Sequence, residues 1–208
     1  MIEILGRYII LFIDKSGLFG IFILMTLESA LIPIPSEVTM PFSGFLVSRG
    51  QFLFWIVVLV GAFGNLFGSL LAYYLGSYGE ETVRHIIRKY GKLVLLSEKE
   101  YNHAESWFRK YGEMIVFASR LLPVIRTFIS LPAGIARMNI KKFVIYTFIG
   151  SLIWSALLTY IGVVMGDNWK TLGAFFHKFD LIISIVGIAI VAFYFYHKIK
   201  HLRHHKTP

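Results

Sequence analysis

The sequence predicts an all-α polytopic membrane protein: one membrane domain built as an inverted repeat, with two re-entrant helical hairpins meeting near the bilayer midplane. Three observations predict it. Of 208 residues, 56% are hydrophobic and only 16% charged, too little charge to cover a soluble domain of this size. Two stretches, Phe52–Leu75 and Phe143–Gly166, run 24 residues each without a charge, enough to cross about 30 Å of hydrocarbon as helices. Two further apolar stretches are broken by prolines and carry charges of opposite sign, which a lipid-facing helix does not tolerate.

Taken in order, Met1 to Lys15 carries Glu3, Arg7, Asp14 and Lys15. Its apolar run of about 12 residues is too short to span, so it reads as an interfacial helix. It lacks the basic start and small-residue cleavage site of a signal peptide. Repeat one covers about 17–76. Its first part, Glu28-Ser-Ala-Leu-Ile-Pro33-Ile-Pro35-Ser-Glu37-Val-Thr-Met-Pro41, holds two carboxylates and three prolines. From Leu31 to Val47 there is too little chain for two full spans, and a hairpin that dips in and returns fits the prolines and the length. Phe52–Leu75 is the clean span; Gly64, Gly68 and Ala72 recur every fourth residue and offer a face for close helix approach. Asn65 within it reads as an interhelical hydrogen bond rather than a ligand group.

The stretch 77–112 is a soluble connector with seven Lys/Arg and five Glu. Val83, Ile86, Ile87 and Tyr90 recur at helical spacing opposite Arg84, Arg88 and Lys89, and Ser97-Glu-Lys-Glu100 has the form of a capping box. Both features predict amphipathic helices on the membrane surface. Repeat two covers about 113–166. Its broken segment, from Glu113, holds Arg120-Leu-Leu-Pro123-Val-Ile-Arg126-Thr-Phe-Ile-Ser-Leu-Pro132, the counterpart of the first broken segment with the charge reversed, and the repeat ends in the span Phe143–Gly166. A last, shorter membrane helix is predicted over 181–196, followed by a basic tail, 197–208.

The halves echo each other. Pro33, Pro41, Gly44 and Phe52 match Pro123, Pro132, Gly134 and Phe143 at offsets near 90. Gly64, Ser69, Tyr74 and Gly76 match Gly150, Ser155, Tyr160 and Gly162 at an offset of 86. Paired broken segments in corresponding positions point to a transporter's binding site. The connector, the link Ala133–Lys142 and the tail together hold 14 of the 21 Lys/Arg. If these face the cytoplasm, the second hairpin enters from that side, the first from the other, and the C-terminus is cytoplasmic.

Four charges in hydrocarbon cost roughly 2.5–3.5 kcal/mol each on insertion scales, so Glu28, Glu37, Arg120 and Arg126 are predicted to face inward. Guanidinium forks suit phosphate, and interrupted helices expose N–H groups that favour anions. A carboxylate in a dry site can carry a proton. The predicted arrangement is substrate phosphate on Arg120 and Arg126, and proton coupling or headgroup contact at Glu28 and Glu37. Pro33, Pro35, Pro41, Pro123, Pro132 and Gly134 shape the hairpins. Mere fold-stabilising pairing is the weaker reading, since a buried pair is often replaceable by apolar residues. Trp55, Trp154, Trp169 and Tyr160 read as interfacial or packing aromatics.

Other chemistries are disfavoured. With no cysteine, disulfides, thiolate metal sites and cysteine nucleophiles are excluded. The formal charge of +9 fits loops facing anionic lipid, and no basic stripe with stacking aromatics suggests nucleic acid. The four tail histidines form an irregular His/Lys mixture rather than a metal set. No metal and no cofactor are predicted, and no enzyme: of the seven histidines, none lies in a broken segment to activate a nucleophile.

At these residues the chain resembles the bacterial DedA family, also called the SNARE-associated or VTT domain family. The first motif, Glu followed by Pro-x-Pro-x-Glu, is Glu28 to Glu37, with Ser36 where many members have Gly. The second, aromatic-x-x-Arg-x-x-Pro-x-x-Arg, is Phe117-Ala-Ser-Arg120-Leu-Leu-Pro123-Val-Ile-Arg126. Pro132-Ala-Gly134, Met138 and Phe143 continue the match, over roughly Gly17 to Gly166. The resemblance implies a lipid flippase or scramblase of the bacterial inner membrane with two opposed re-entrant hairpins. It would move a phosphate-bearing lipid, undecaprenyl phosphate or phosphatidylethanolamine, driven by protons, with the embedded acids and arginines as functional residues. Self-association into a homo-oligomer is compatible with it. The alternatives are a proton-coupled small-ion antiporter using the same charges, and a membrane phosphatase.

Overall fold

The computed structural model describes residues 2–32, 34–94, 98–122 and 125–169, and these form helices and turns with no strand among them. Pro33, Pro123, the capping residue Ser97, the predicted helix 181–196 and the tail 197–208 lie outside the described residues.

Helix α1, Ile2–Ser16, buries Ile9 and Ile13 and leaves Tyr8, Leu11 and Phe12 exposed. Gly17, at φ 61°, turns the chain into α2, Leu18–Ser29. Helix α2 stops abruptly. The N–H of Ile32 bonds back to the Leu27 carbonyl at 3.1 Å and that of Leu31 to Glu28 at 3.2 Å, the two-bond pattern that closes a helix with a left-handed residue. That residue is Leu31, at φ 73°, a conformation costing a leucine about 1–2 kcal/mol. Helix α3, Ser36–Ser48, then starts directly after Pro35. With 12 and 13 residues, α2 and α3 are each about 18–20 Å long, short of a full crossing.

Helix α4 runs unbroken from Phe54 to Val94, 41 residues. This corrects the expectation of a span ending near Leu75 followed by a separate connector helix. Charge does not end a helix; Glu, Lys and Arg are good helix formers, and no proline interrupts 76–94. Helix α5 covers Glu98–Ser119, α6 Ile125–Phe128, α7 Ser130–Ile135 and α8 Ile140–Met165, with a 3-10 turn at Gly166–Trp169. Asn139 caps α8 by accepting from the N–H groups of Lys141 and Lys142. Pro132 falls in the first turn of α7, where its missing N–H is not needed.

Among the described residues, two helical stretches are long and apolar enough to cross a membrane, Phe54–Gly79 and Ile140–Met165. Their outer faces fit hydrocarbon. Trp55, Leu59, Phe63, Phe67, Leu71 and Leu75 on α4, and Ile145, Ile149, Ile153 and Leu157 on α8, recur every fourth residue and are all at least 42% exposed. Continuous apolar stripes of this length belong against lipid.

The inner faces meet through glycine. Gly64 and Gly68 of α4 lie against the backbone of α2 at Phe22 and Thr26. Gly44 of α3 lies against the Thr159 carbonyl of α8, and Gly162 of α8 against the Pro41 carbonyl. Gly134 of α7 lies against the Tyr73 carbonyl of α4, and Gly76 of α4 against the Leu131 carbonyl. A Cβ at any of these six positions would collide with backbone. The two crossings correspond residue by residue: Gly44 and Pro41 map to Gly134 and Leu131 at an offset of 90, Gly76 and Tyr73 to Gly162 and Thr159 at 86. Each half thus packs the second arm of its broken segment on the long helix of the other half.

These crossings are sensitive to one methyl group. Gly134→Ala and Gly44→Ala are each expected to lower stability by about 1–3 kcal/mol through overpacking. Gly79→Ala, where a Cβ meets nothing within 4 Å, is expected to gain about 0.5–1 kcal/mol of helix propensity. Thermal unfolding in detergent checks the order; equal melting temperatures for all three would contradict the close crossings.

Candidate functional site

The abrupt ends of α2 and α3 set the site. Because α2 stops one residue after Glu28 and its successor starts at Ser36, the Glu28 carboxylate lies over the first turn of α3. Its Oε1 accepts from the Ser36 N–H at 3.2 Å. Free N–H groups and the positive end of the helix dipole favour an anion there, and the chain supplies its own. Pro41 inside α3 withholds the N–H that would have bonded to the Glu37 carbonyl.

Arg126, at the start of the α6–α7 segment, reaches across to the same place. Its Nη2 donates to Glu28 Oε1 and to Ser36 Oγ, and lies 3.8 Å from Glu37 Oε1. Its guanidinium sits over the Trp154 ring, 5.0 Å from the centroid. Arg126, Glu28 and Glu37 are 4%, 5% and 7% exposed, so the cluster is closed off. The structure therefore brings together three of the four charges from opposite halves of the chain.

The fourth stands apart. Arg120 is 2% exposed, and among the described residues no carboxylate lies within ion-pair distance of it. It is caged by neutral oxygens instead. Nη1 donates to Ser69 Oγ at 2.9 Å and to the Arg126 carbonyl at 3.0 Å; Nη2 donates to Ser130 Oγ at 2.8 Å and to Thr147 Oγ1 at 3.4 Å. Gly150 makes room for its stem. The acceptors come from α4, α6, α7 and α8, so one side chain ties four elements around the backbone that carries Arg126. Asn65 accepts from Ser29 Oγ at 2.6 Å and links α4 to α2, as an interhelical bond does.

Ser36, Ser69, Ser130, Thr147 and Trp154 were not singled out as partners from sequence. The offset match of Ser69 with Ser155 was the one available signal, and it marks a repeat, not a contact. Among the described residues no group of three His, Asp or Glu could hold a metal.

Comparison with known proteins settles the lineage. The VTT domain matches residues 34–164. The chain belongs to the VTT domain family. It is a membrane protein with bacterial relatives. It is 36% identical over 187 residues to uncharacterized membrane protein YkoX of Bacillus subtilis, covering 90% of this chain and 81% of that protein. It is 34% identical to undecaprenyl phosphate transporter A of the same organism, covering 90% and 91%. It is also 32% identical to an alkaline phosphatase-like protein of Lactococcus lactis, covering 88% and 87%. No solved structure matches.

In this VTT domain the buried pair has a defined sign of response. Arg126→Met strands a carboxylate and should cost about 3–5 kcal/mol. Adding Glu28→Leu should recover most of that loss, because an apolar replacement of both partners is often neutral. Unfolding of the two variants in detergent decides it; a double variant less stable than Arg126→Met alone would refute the pairing.

Proposed function

We propose that this protein moves a phosphate-bearing lipid between the leaflets of the bacterial cytoplasmic membrane, with undecaprenyl phosphate as the leading substrate and phosphatidylethanolamine as the second. One observation carries the reading. A buried, ion-paired arginine lies where two broken segments meet, in a chain alignable over nine-tenths of its length with a protein named undecaprenyl phosphate transporter A. The short α2–α3 and α6–α7 pairs serve as two re-entrant hairpins of an inverted repeat, a reading supported by the exchanged glycine crossings. The C-terminus is assigned to the cytoplasm from the distribution of Lys and Arg.

The chemistry follows from exchange at Arg126. A lipid phosphate competes with Glu28 for the guanidinium fork, which suits either anion. A carboxylate displaced in this setting is a costly unpaired anion, so charge balance calls for a proton on Glu28, or on neighbouring Glu37. Phosphate entry and proton uptake become one event. Arg120 supports the phosphate site from behind, through the segment carrying Arg126. The lipid tail stays in the bilayer, passing the exposed apolar residues Leu121, Leu122, Ile125 and Phe128 beside the site.

Reconstitution in liposomes with labelled lipid checks this. The wild-type protein is expected to speed transfer of the polyprenyl phosphate between leaflets, and Arg126→Ala to abolish it. Full activity in Arg126→Ala would remove Arg126 from the site. Ion exchange without lipid transfer would favour the small-ion antiporter. The name of the lactococcal relative supports a phosphatase as a further reading, and phosphate release by the purified protein would favour it.

A further inference from the structure

The two glycine crossings match in backbone but differ in the polar groups beside them. Next to the α4–α7 crossing, Ser69 is taken by Arg120, and the Tyr73 hydroxyl donates to the Met138 carbonyl at 2.5 Å. The hydroxyls of that seam are taken, although Arg120 Nε beside it is buried without a partner. At the matching positions of α8, Ser155 and Thr159 are both fully buried and neither hydroxyl has a protein partner. Trp154 Nε1, one residue earlier and 5% exposed, is unpartnered as well.

This is not how helix hydroxyls ordinarily behave. Across the same seam Thr39 donates to the Pro35 carbonyl and Ser43 to Thr39, each four residues back, the default for Ser and Thr in helices. Ser155 and Thr159 forgo that partner. Buried polar groups left without protein partners are normally satisfied by water, which in turn needs two to four polar contacts. Ser155 and Thr159, four residues apart, share one face of α8, and Trp154 adjoins Ser155 one residue toward the start of the helix. Trp154 carries the Arg126 guanidinium on its ring. Ser155 Oγ faces Gly61, where the glycine admits the flexible end of the Met40 side chain rather than a polar partner. Thr159 lies about 6 Å further along the helix, at the Gly44 crossing near the end of α8. At the inner end, Glu28 Oε2 is also buried and unpartnered.

We propose that the α3–α8 seam is a water route, running from the membrane face where α8 ends, past Thr159, Ser155 and Trp154, to the Glu28–Arg126 pair, while the equivalent α4–α7 seam is closed. As a path for protons to Glu28 and Glu37 it rests on the transport reading above. As a path for water it does not.

The chain has no cysteine, so single thiols report without background. Ser155→Cys and Thr159→Cys, both close to isosteric, are compared with Ser69→Cys at the α4–α7 seam and Met25→Cys in the apolar core. Silver ion, about the size of water, is applied to the folded protein, and unmodified thiols are counted after denaturation. Labelling of buried thiols through local opening is the background. Ser155→Cys and Thr159→Cys should react on the order of tenfold faster than either control, since direct aqueous access bypasses an opening step. Protection of both would overturn the route. So would reaction at Thr159→Cys with protection at Ser155→Cys, because water would stop short of the pair. Equal reaction at Ser69→Cys would overturn the asymmetry. Melting curves identify any variant that is not folded, and Gly61→Cys, whose Cβ would lie 3.2 Å from Ser155 Oγ against the flexible end of Met40, then serves in place of a lost Ser155→Cys: reaction faster than the controls supports the route and protection overturns it. No transported lipid is needed, so a failure to move undecaprenyl phosphate leaves this result standing.

Discussion

A guanidinium from one half of the chain and a carboxylate from the other share a site almost wholly enclosed by protein. Neither charge is tolerable there alone. Glu28 without Arg126 would be an unpaired ion in a low-dielectric interior, and Arg126 without Glu28 would keep only the more distant Glu37, 3.8 Å away. The pair therefore obliges the two broken segments to meet, and the ends of α2, α3 and α6 follow from that demand. Helix α2 ends early so that Glu28 can turn onto the first N–H of α3. It ends on Leu31 in a left-handed conformation, so local backbone strain is accepted to place the carboxylate.

The meeting also needs a scaffold with little freedom to move apart. Glycine supplies it. In a membrane, helices gain nothing from burying apolar surface against one another, because lipid is equally apolar. Close backbone contact is what remains, and the crossings at Gly44–Gly162 and Gly76–Gly134 provide it in matched form. Arg120 adds a polar tie, its neutral acceptors spread over four elements. The two arginines thus have different surroundings: Arg126 faces a carboxylate that can be exchanged, Arg120 a cage of hydroxyls and a carbonyl that holds the frame. A motif that places them six residues apart does not distinguish these roles.

Much of this was legible in the residues. Long uncharged runs can only be satisfied in lipid, so the two spans could be read directly, to within a few residues at Phe54 and Met165. Opposite charges in two proline-broken segments predicted a meeting, because nothing else would compensate them. The continuity of α4 past Gly76 was not legible, since a change from apolar to charged residues alters which face is wet without ending the helix. Nor was the cage around Arg120. Ser69, Ser130 and Thr147 are common helix residues whose role depends on which neighbour reaches them.

The sequence by itself determined the class of protein and which four charges had to be buried, because both rest on composition or local spacing against the cost of charge in hydrocarbon; its family followed from the resemblance of its two charged motifs. Only the tertiary structure decided which carboxylate meets which arginine and which glycine meets which carbonyl. It also decided which of two matching seams keeps its polar groups unpaired. Those outcomes depend on the relative placement of helices far apart in the chain, at distances where a single methyl group or hydroxyl changes the result.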